Sequence, residues 1–246
     1  GEEEESATTT YEGEGGVEMG SWFRRAAFAL RFSDYNPLIS DFVRSDSQIL
    51  YIRDIRDRVE TVAPFISFDA DPYPVVIDGG ISYVLDGYTT TDRYPYAQGA
   101  DREQLREGSG LDHSFNYVRN SVKAVVDAYD GTVTLYGWDE SDPILQTWSK
   151  VYPGLITPKS EISPELMAHP RYPQDLFKVQ RAMLGTYHVD DAQSFYQRDN
   201  AWKTPDDPTQ TNPVLQPPYY LTMQMPDQDA PSYSMFTTFI PGGDDT

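Results

Sequence analysis

The hydrophobic positions of this chain change period several times, and each change predicts an element. From Trp22 the apolar residues fall at helical spacing, with Trp22, Ala26 and Ala29 beside Phe23, Ala27 and Leu30, and Arg24, Arg25 and Arg31 at the rim. That pattern predicts a helix lying across a sheet, with a membrane-surface helix as the sharper alternative. Asn36-Pro37 marks a break, after which residues 38–43 restart a short helix. Ile55, Val59 and Val62 form an i, i+4, i+7 stripe that Pro64 ends.

The period then switches to two. Residues 75–77 and 81–85 flank Asp78-Gly79-Gly80, and residues 122–128 and 132–138 flank Asp130-Gly131, each a hairpin signal. In the second hairpin Val122, Ala124 and Val126 alternate with Lys123, Val125 and Asp127. Asp86-Gly87 reads as a third turn of the same kind. Asp142-Pro143 caps a helix carrying Ile144, Leu145, Trp148 and Val151. Ser163-Pro164-Glu165 starts a short helix that ends near His169-Pro170. Residues 175–184 present Leu176, Val179 and Met183 on one helical face, and Asp190 or Asp191 caps a turn toward Tyr196. Strands at 219–225 and 233–240 follow, joined through 226–231 as an edge hairpin. The fold class is α+β, antiparallel β-hairpins with interspersed short helices, as one domain or two tightly packed lobes.

Charge refines the boundaries. The net charge is −20, but residues 1–20 hold seven acidic groups and residues 206–246 six, with no Lys or Arg in either, which leaves −7 for residues 21–205. Residues 1–20 therefore read as an acidic flexible arm, with a strand through 8–11 as the alternative. Residues 21–246 read as the folded part, with a polar interval at 99–112 as a flexible loop that divides the lobes if there are two. Eighteen Tyr and eleven Phe exclude wholesale disorder. The start without Met and the end in GGDDT suggest cuts through a longer protein.

Nucleic acid is a poor partner for this balance, because backbone binding needs clustered cations and Arg53, Arg56 and Arg58 are interleaved with Asp54, Asp57 and Glu60. No stretch approaches the eighteen apolar residues of a spanning helix. Zero Cys excludes disulfides, thiol chemistry and cysteine metal sites.

Candidate chemistry is sparse. Paired carboxylates for glycoside hydrolysis would come from Asp69, Asp71, Asp78, Asp86, Asp92, Asp127 and Asp139, beside Tyr73, Tyr83, Tyr88, Tyr94 and Tyr96; the same residues also suit turns and sheet faces. Hard oxygen ligands for calcium are available at Asp69 and Asp71 and at Asp139 and Asp142, although Asp142 serves equally as a helix cap and Asp71 as a turn former. His113, His169 and His188 lack local ligand spacing for zinc, and no GxSxG elbow or phosphate loop is present. Two RYP units remain, Arg93-Tyr94-Pro95-Tyr96 and Arg171-Tyr172-Pro173. Each combines a fixed turn, an aromatic surface and a guanidinium, which suits either a peptide or glycan contact or the locking of a long loop.

Several long stretches carry a family resemblance: SWFRRAAFALRFSDYNPLISDFVRSDSQILYIRDIRDRVETVAPFISFDADPYPVV, ISYVLDGYTTTDRYPYAQ, NYVRNSVKAVVDAYDGTVTLY, HPRYPQDLFKVQRAMLGTYHVDDAQSFYQRDNAW and PYYLTMQMP. Together they cover most of residues 21–225 and resemble the UPF0182 family of uncharacterised bacterial membrane proteins. The resemblance implies a soluble region outside the cytoplasm, attached to a bundle of transmembrane helices, and brings no catalytic residues, substrate or cofactor. The expectation is an extracytoplasmic binding or interaction module. Arg93, Tyr94, Tyr96, Arg171 and Tyr172 are its contact candidates. Its partners would be the transmembrane bundle of the same full-length protein, an envelope glycan or protein, or a second copy. A carboxylate-based hydrolase of envelope polysaccharide and a structural assembly domain are the alternatives.

Overall fold

In the computed structural model, residues 11–13, 15–40, 42–103, 105, 108–198 and 200–242 are described. Most of the acidic arm expected over 1–20, and of the alternative strand at 8–11, lies outside them. Strand β1 (Val17–Glu18) pairs with β2 (Gln48–Ile49), and between them run helices α1 (Trp22–Phe32) and α2 (Asn36–Ile39). Ser21 caps α1 by accepting from the Arg24 amide at 3.2 Å. Helix α3 (Ile55–Val62) is capped by Asp54, which accepts from the Arg56 and Asp57 amides.

The centre is a six-stranded sheet. Strands β3 (Ser67–Phe68) and β4 (Tyr73–Ile77) share one edge of the long β5 (Gly80–Thr91); β6 (Tyr117–Asp127) pairs with its other edge, β7 (Val133–Gly137) with β6, and β8 (Ile156–Thr157) with β7. All neighbours are antiparallel except β7 and β8. The β4–β5 turn has φ of 50° at Asp78 and 76° at Gly79, the two positive angles of the hairpin turn that Asp-Gly favours.

Asp86-Gly87, expected as a turn, instead lies in the middle of β5. Gly87 sits there because a Cβ would come within 2.9 Å of Ile66 and 3.0 Å of Val122. A β-bulge follows it, with Ser121 left between the Gly87–Val122 and Tyr88–Asn120 pairs.

Both faces of the sheet are covered. On one, Phe68, Leu85, Val122, Ala124, Val126 and Leu135 pack against Val59 of α3, Ala63 just after it and Leu145 of α4 (Pro143–Val151). On the other, Tyr73, Val75 and Val84 meet Ile162 and Leu166, the latter in α5 (Pro164–Met167). Tyr88 continues that second face onto Val179 of α6 (Gln174–Tyr187) and onto Leu111 and Phe115. Residues 104, 106 and 107 of the interval expected as a loop lie outside the described residues. Ser109 and Leu111 of that interval are buried, and the Gly110 amide donates to Phe68 O at 2.9 Å.

The remaining elements are α7 (Ala192–Gln197), β9 (Trp202–Lys203), the hairpin β10 (Tyr219–Met223) with β11 (Ser232–Phe236), and β12 (Ile240–Pro241) on β9. Among the described residues no helix is long and apolar enough to cross a membrane. Two helical faces depart from the expected packing. Trp22, Phe23 and Leu30 of α1, expected against the sheet, are 66, 80 and 83 % exposed. Helix α6 turns Asp175, Lys178 and Arg181 inward beside Val179, while Met183 of its expected apolar face is half exposed.

Candidate functional site

The second sheet face carries charge as well as core. Along β5 the alternation that points Val84 at α5 also points Asp86 and Tyr88 at α6, and the partner of Asp86 across the ladder is Lys123. The Lys123 ammonium is buried and bonded to the Asp86 carboxylate. It also donates to Arg171 O at 3.1 Å and lies 5.0 Å from the Trp138 ring. Burial pushes the Asp86 carboxyl up, against the pull of Lys123.

Helix α6 begins without a side-chain cap of its own, so its first amides need partners. The sheet supplies them. Asp69 Oδ2 accepts from the Asp175 amide at 2.9 Å, and the Tyr88 hydroxyl accepts from the Leu176 amide at 3.3 Å while donating to Asp69. The Asp175 carboxylate accepts from the Ala70 amide at 3.2 Å, Ser109 Oγ at 2.7 Å and Lys178 Nζ at 3.0 Å. Burial, and then the charge of Asp175, raise the Asp69 carboxyl to about 6. Burial and the same carboxylates hold the Tyr88 hydroxyl protonated well above its ordinary range.

Above this layer the segment preceding α6 opens a groove. Lys123 fixes Arg171 O, and the Arg171 amide donates to the Tyr73 hydroxyl at 2.9 Å. The Arg171 guanidinium then lies 4.5 Å from the Tyr73 ring, 5.7 Å from Tyr220 and 5.6 Å from Tyr233. Tyr220 and Tyr233 stack across the β10–β11 hairpin at 5.1 Å, and the Tyr220 hydroxyl donates to Tyr172 O at 2.7 Å. Tyr172, Phe177 and Gln180 complete the walls of a cavity of about 440 Å³. Among the described residues the Arg171 side chain makes ring contacts and no hydrogen bond, so its N–H donors remain available to a ligand.

The sequence candidates divide between places. Arg171 and Tyr172 line the groove. Arg93, Tyr94 and Tyr96 belong to the loop after β5, which Asn116 pins by bonds to the amide and carbonyl of Tyr94 at 3.0 and 2.9 Å. Tyr94 stacks on Tyr117 at 5.6 Å, Arg93 reaches Asp92 at 3.8 Å, and Tyr96 projects fully into solvent at a φ of 59°.

Asp69 and Asp71 share a tight turn in which Asp69 Oδ1 accepts from the Asp71 amide at 2.9 Å. Asp139 pairs with Arg119 at 3.0 Å, and buried Asp142 caps α4. Asp127 and Asp78 hold turns, and Asp127 also lines a cavity of about 360 Å³ with Arg58 and Asp130. Among the described residues no three His, Cys, Asp or Glu gather as a cation site.

Sequence reasoning missed Lys123, Asp175, Lys178, Tyr220 and Tyr233. Two signals pointed toward them: a lysine inside an apolar strand, and an Asp-Gly step inside an unbroken strand-like run.

The family described as "Uncharacterised protein family (UPF0182)" matches residues 1–246. A UPF0182 protein of Leifsonia xyli is 53 % identical over 242 residues, covering 95 % of this chain and 24 % of the relative. One of Clavibacter michiganensis is 51 % identical over 244 residues, with 95 % and 25 % covered, and one of Frankia alni is 50 % identical over 243 residues, with 95 % and 24 % covered. The chain spans about a quarter of the length of the curated relatives it matches. No solved structure matches it.

Proposed function

Because the chain belongs to the UPF0182 family, within the extracytoplasmic region of a membrane-integral protein, we propose that it is an interaction module that recognises an envelope glycan in the Arg171 groove. The observation that carries this reading is the guanidinium held among three tyrosine rings, its N–H groups making no hydrogen bond among the described residues. Tyrosine faces stack on sugar rings, and forked N–H donors match sugar hydroxyls. Asp71, Asp69 and Asp86 act on the Tyr220 hydroxyl beside the groove, and this local negative charge disfavours polyanions, which favours an uncharged saccharide. The buried Lys123–Asp86 pair and the α6 cap hold the groove floor rigid, so that little ordering entropy is lost on binding. In the full-length protein, the module would present its ligand to the membrane-spanning bundle.

Calorimetric titration with neutral hexose oligomers and with a soluble peptidoglycan digest tests this. Saturable heat that weakens roughly tenfold in Arg171→Ala and in Tyr233→Ala, and is untouched in Arg93→Ala, supports the groove. Heat absent with both pools, or unchanged in Arg171→Ala, defeats it.

A further inference from the structure

Helix α1 is attached by one arc and bare on another. Its inward arc holds Arg25, whose Nε donates to Met19 O at 2.9 Å, the buried Ala29, and Phe28, whose ring meets Tyr51 at 5.5 Å. Helical spacing puts Trp22, Phe23, Ala26, Ala27 and Leu30 on a neighbouring arc, and its three large side chains are mostly in solvent. The bare surface continues along the chain through Tyr35, Ile39 and Phe42, at 69, 67 and 94 % exposed. Isolated exposed apolar residues need no explanation, but a contiguous set of this size marks an interaction site.

Charge indicates the occupant. Residues 21–44 hold four arginines against two aspartates, in a chain whose net charge is −20. Arg31 and Arg24 border the apolar arc on the helix; Arg24 lies 3.9 Å from the exposed Glu18 carboxylate and donates to Glu18 O at 3.3 Å, so it must exchange that partner for a phosphate. Trp, Phe and Leu beside arginines are the composition of a helix lying in a bilayer interface, with aromatic rings at headgroup level and guanidinium groups reaching phosphates. The domain is part of a membrane-integral protein, so attachment holds this patch near a bilayer at high effective concentration. We propose that the exposed face of α1, extended by Ile39 and Phe42, docks on the interfacial region of an anionic phospholipid membrane. A second copy of the chain would need no local excess of arginine on a patch of like charge.

The test is co-sedimentation of the domain with vesicles of equal phosphatidylcholine and phosphatidylglycerol, read beside tryptophan emission and solution mass. Phe23→Ser/Leu30→Ser removes two side chains that are mostly in solvent, so folding is retained and is checked by circular dichroism. A second variant, Trp22→Tyr, reports whether the emission shift comes from α1. The expected result is vesicle binding with a blue shift, weakened roughly tenfold in the double serine variant and weaker on pure phosphatidylcholine, the shift being lost in Trp22→Tyr. Three outcomes overturn the proposal: no binding by the unaltered domain at millimolar lipid, binding unchanged in the serine variant, or a lipid-independent dimer that the serine variant dissolves.

Discussion

Asp69 and Asp175 tie α6 to the sheet through crossed backbone bonds: Asp69 Oδ2 takes the Asp175 amide at 2.9 Å, and Asp175 Oδ2 takes the amide of Ala70, the residue after Asp69, at 3.2 Å. The crossing brings two carboxyl groups together where water is scarce. Lys178 and Ser109 bond to Asp175, while Tyr88 bonds to Asp69. Burial, and then the neighbouring Asp175 charge, push the Asp69 carboxyl up to about 6.

A pH dependence follows. The folded Asp69 carboxyl titrates at about 6 against an ordinary 3.8, so between those values the folded state binds more protons than the unfolded one. Stability therefore rises as pH falls from 6 to 4, by at most about 3 kcal/mol, and Asp86, also raised by burial, adds in the same direction. Urea denaturation at pH 7, 6, 5 and 4 should show this rise, and Asp69→Asn should flatten it. A midpoint that falls steadily across the same range in the unaltered chain contradicts the assignment.

The Lys123–Asp86 pair makes the second prediction. Lys123→Met leaves the Asp86 carboxylate buried without its partner and should cost about 3–5 kcal/mol. Replacing both, as Lys123→Met with Asp86→Leu, should recover most of that loss, because desolvation disappears with the charges. Denaturation midpoints of the two variants decide it; equal losses would mean that Lys123 acts through its bond to Arg171 O instead.

How far the sequence disclosed this arrangement depends on the signal used. Period and punctuation placed α1, α3, α4 and both central hairpins, because caps and turns are local chemistry. They misjudged Asp86-Gly87, since that dipeptide is a turn former by propensity and here is kept in a strand by packing against Ile66, Phe68 and Val122. On α6 they found Leu176 and Val179, which do pack inward, but missed that Asp175, Lys178 and Arg181 are buried with them and that Met183 is half exposed. Alternation sorts residues by polarity, and a second sheet face that holds Asp86, Tyr88 and Lys123 rewards a helix that brings Asp175 and Lys178 to it. The groove was half legible: Arg171 and Tyr172 were visible as a local motif and Tyr73 as a candidate aromatic, whereas Tyr220 and Tyr233 arrive from a distant hairpin.

Gly87 offers a sharper check on the fold. A methyl group there would stand 2.9 Å from Ile66 Cγ2, 3.0 Å from Val122 Cβ and 3.2 Å from Phe68, all in a closed core. Gly87→Ala should therefore destabilise by about 1–3 kcal/mol. Gly99→Ala, with open space around it, should move the midpoint little. Thermal melts of the pair separate strain at the strand from a general intolerance of Gly→Ala.

Calcium is the last prediction, and it turns on Asp142. Its two oxygens already accept from Thr89 Oγ1 at 2.5 Å, Tyr117 OH at 2.6 Å, Ser121 Oγ at 2.8 Å and the Leu145 and Ile144 amides at 3.1 and 3.3 Å. Burial pushes this carboxyl up, but the bonds from Thr89, Tyr117 and Ser121 outweigh it and hold it below its ordinary value. A calcium ion wants six to eight oxygens and would have to strip those donors and uncap α4. Asp69 is likewise engaged at both oxygens. Calorimetry to about 1 mM calcium, the range of extracellular calcium modules, should give no saturable heat, with equal melting in calcium and in chelator. Asp142→Ala should cost about 2 kcal/mol or more from the lost cap and orphaned hydroxyls. Saturable calcium binding that raises the melting temperature and vanishes in Asp139→Asn would mean instead that the Asp139–Asp142 loop rearranges into an oxygen cage.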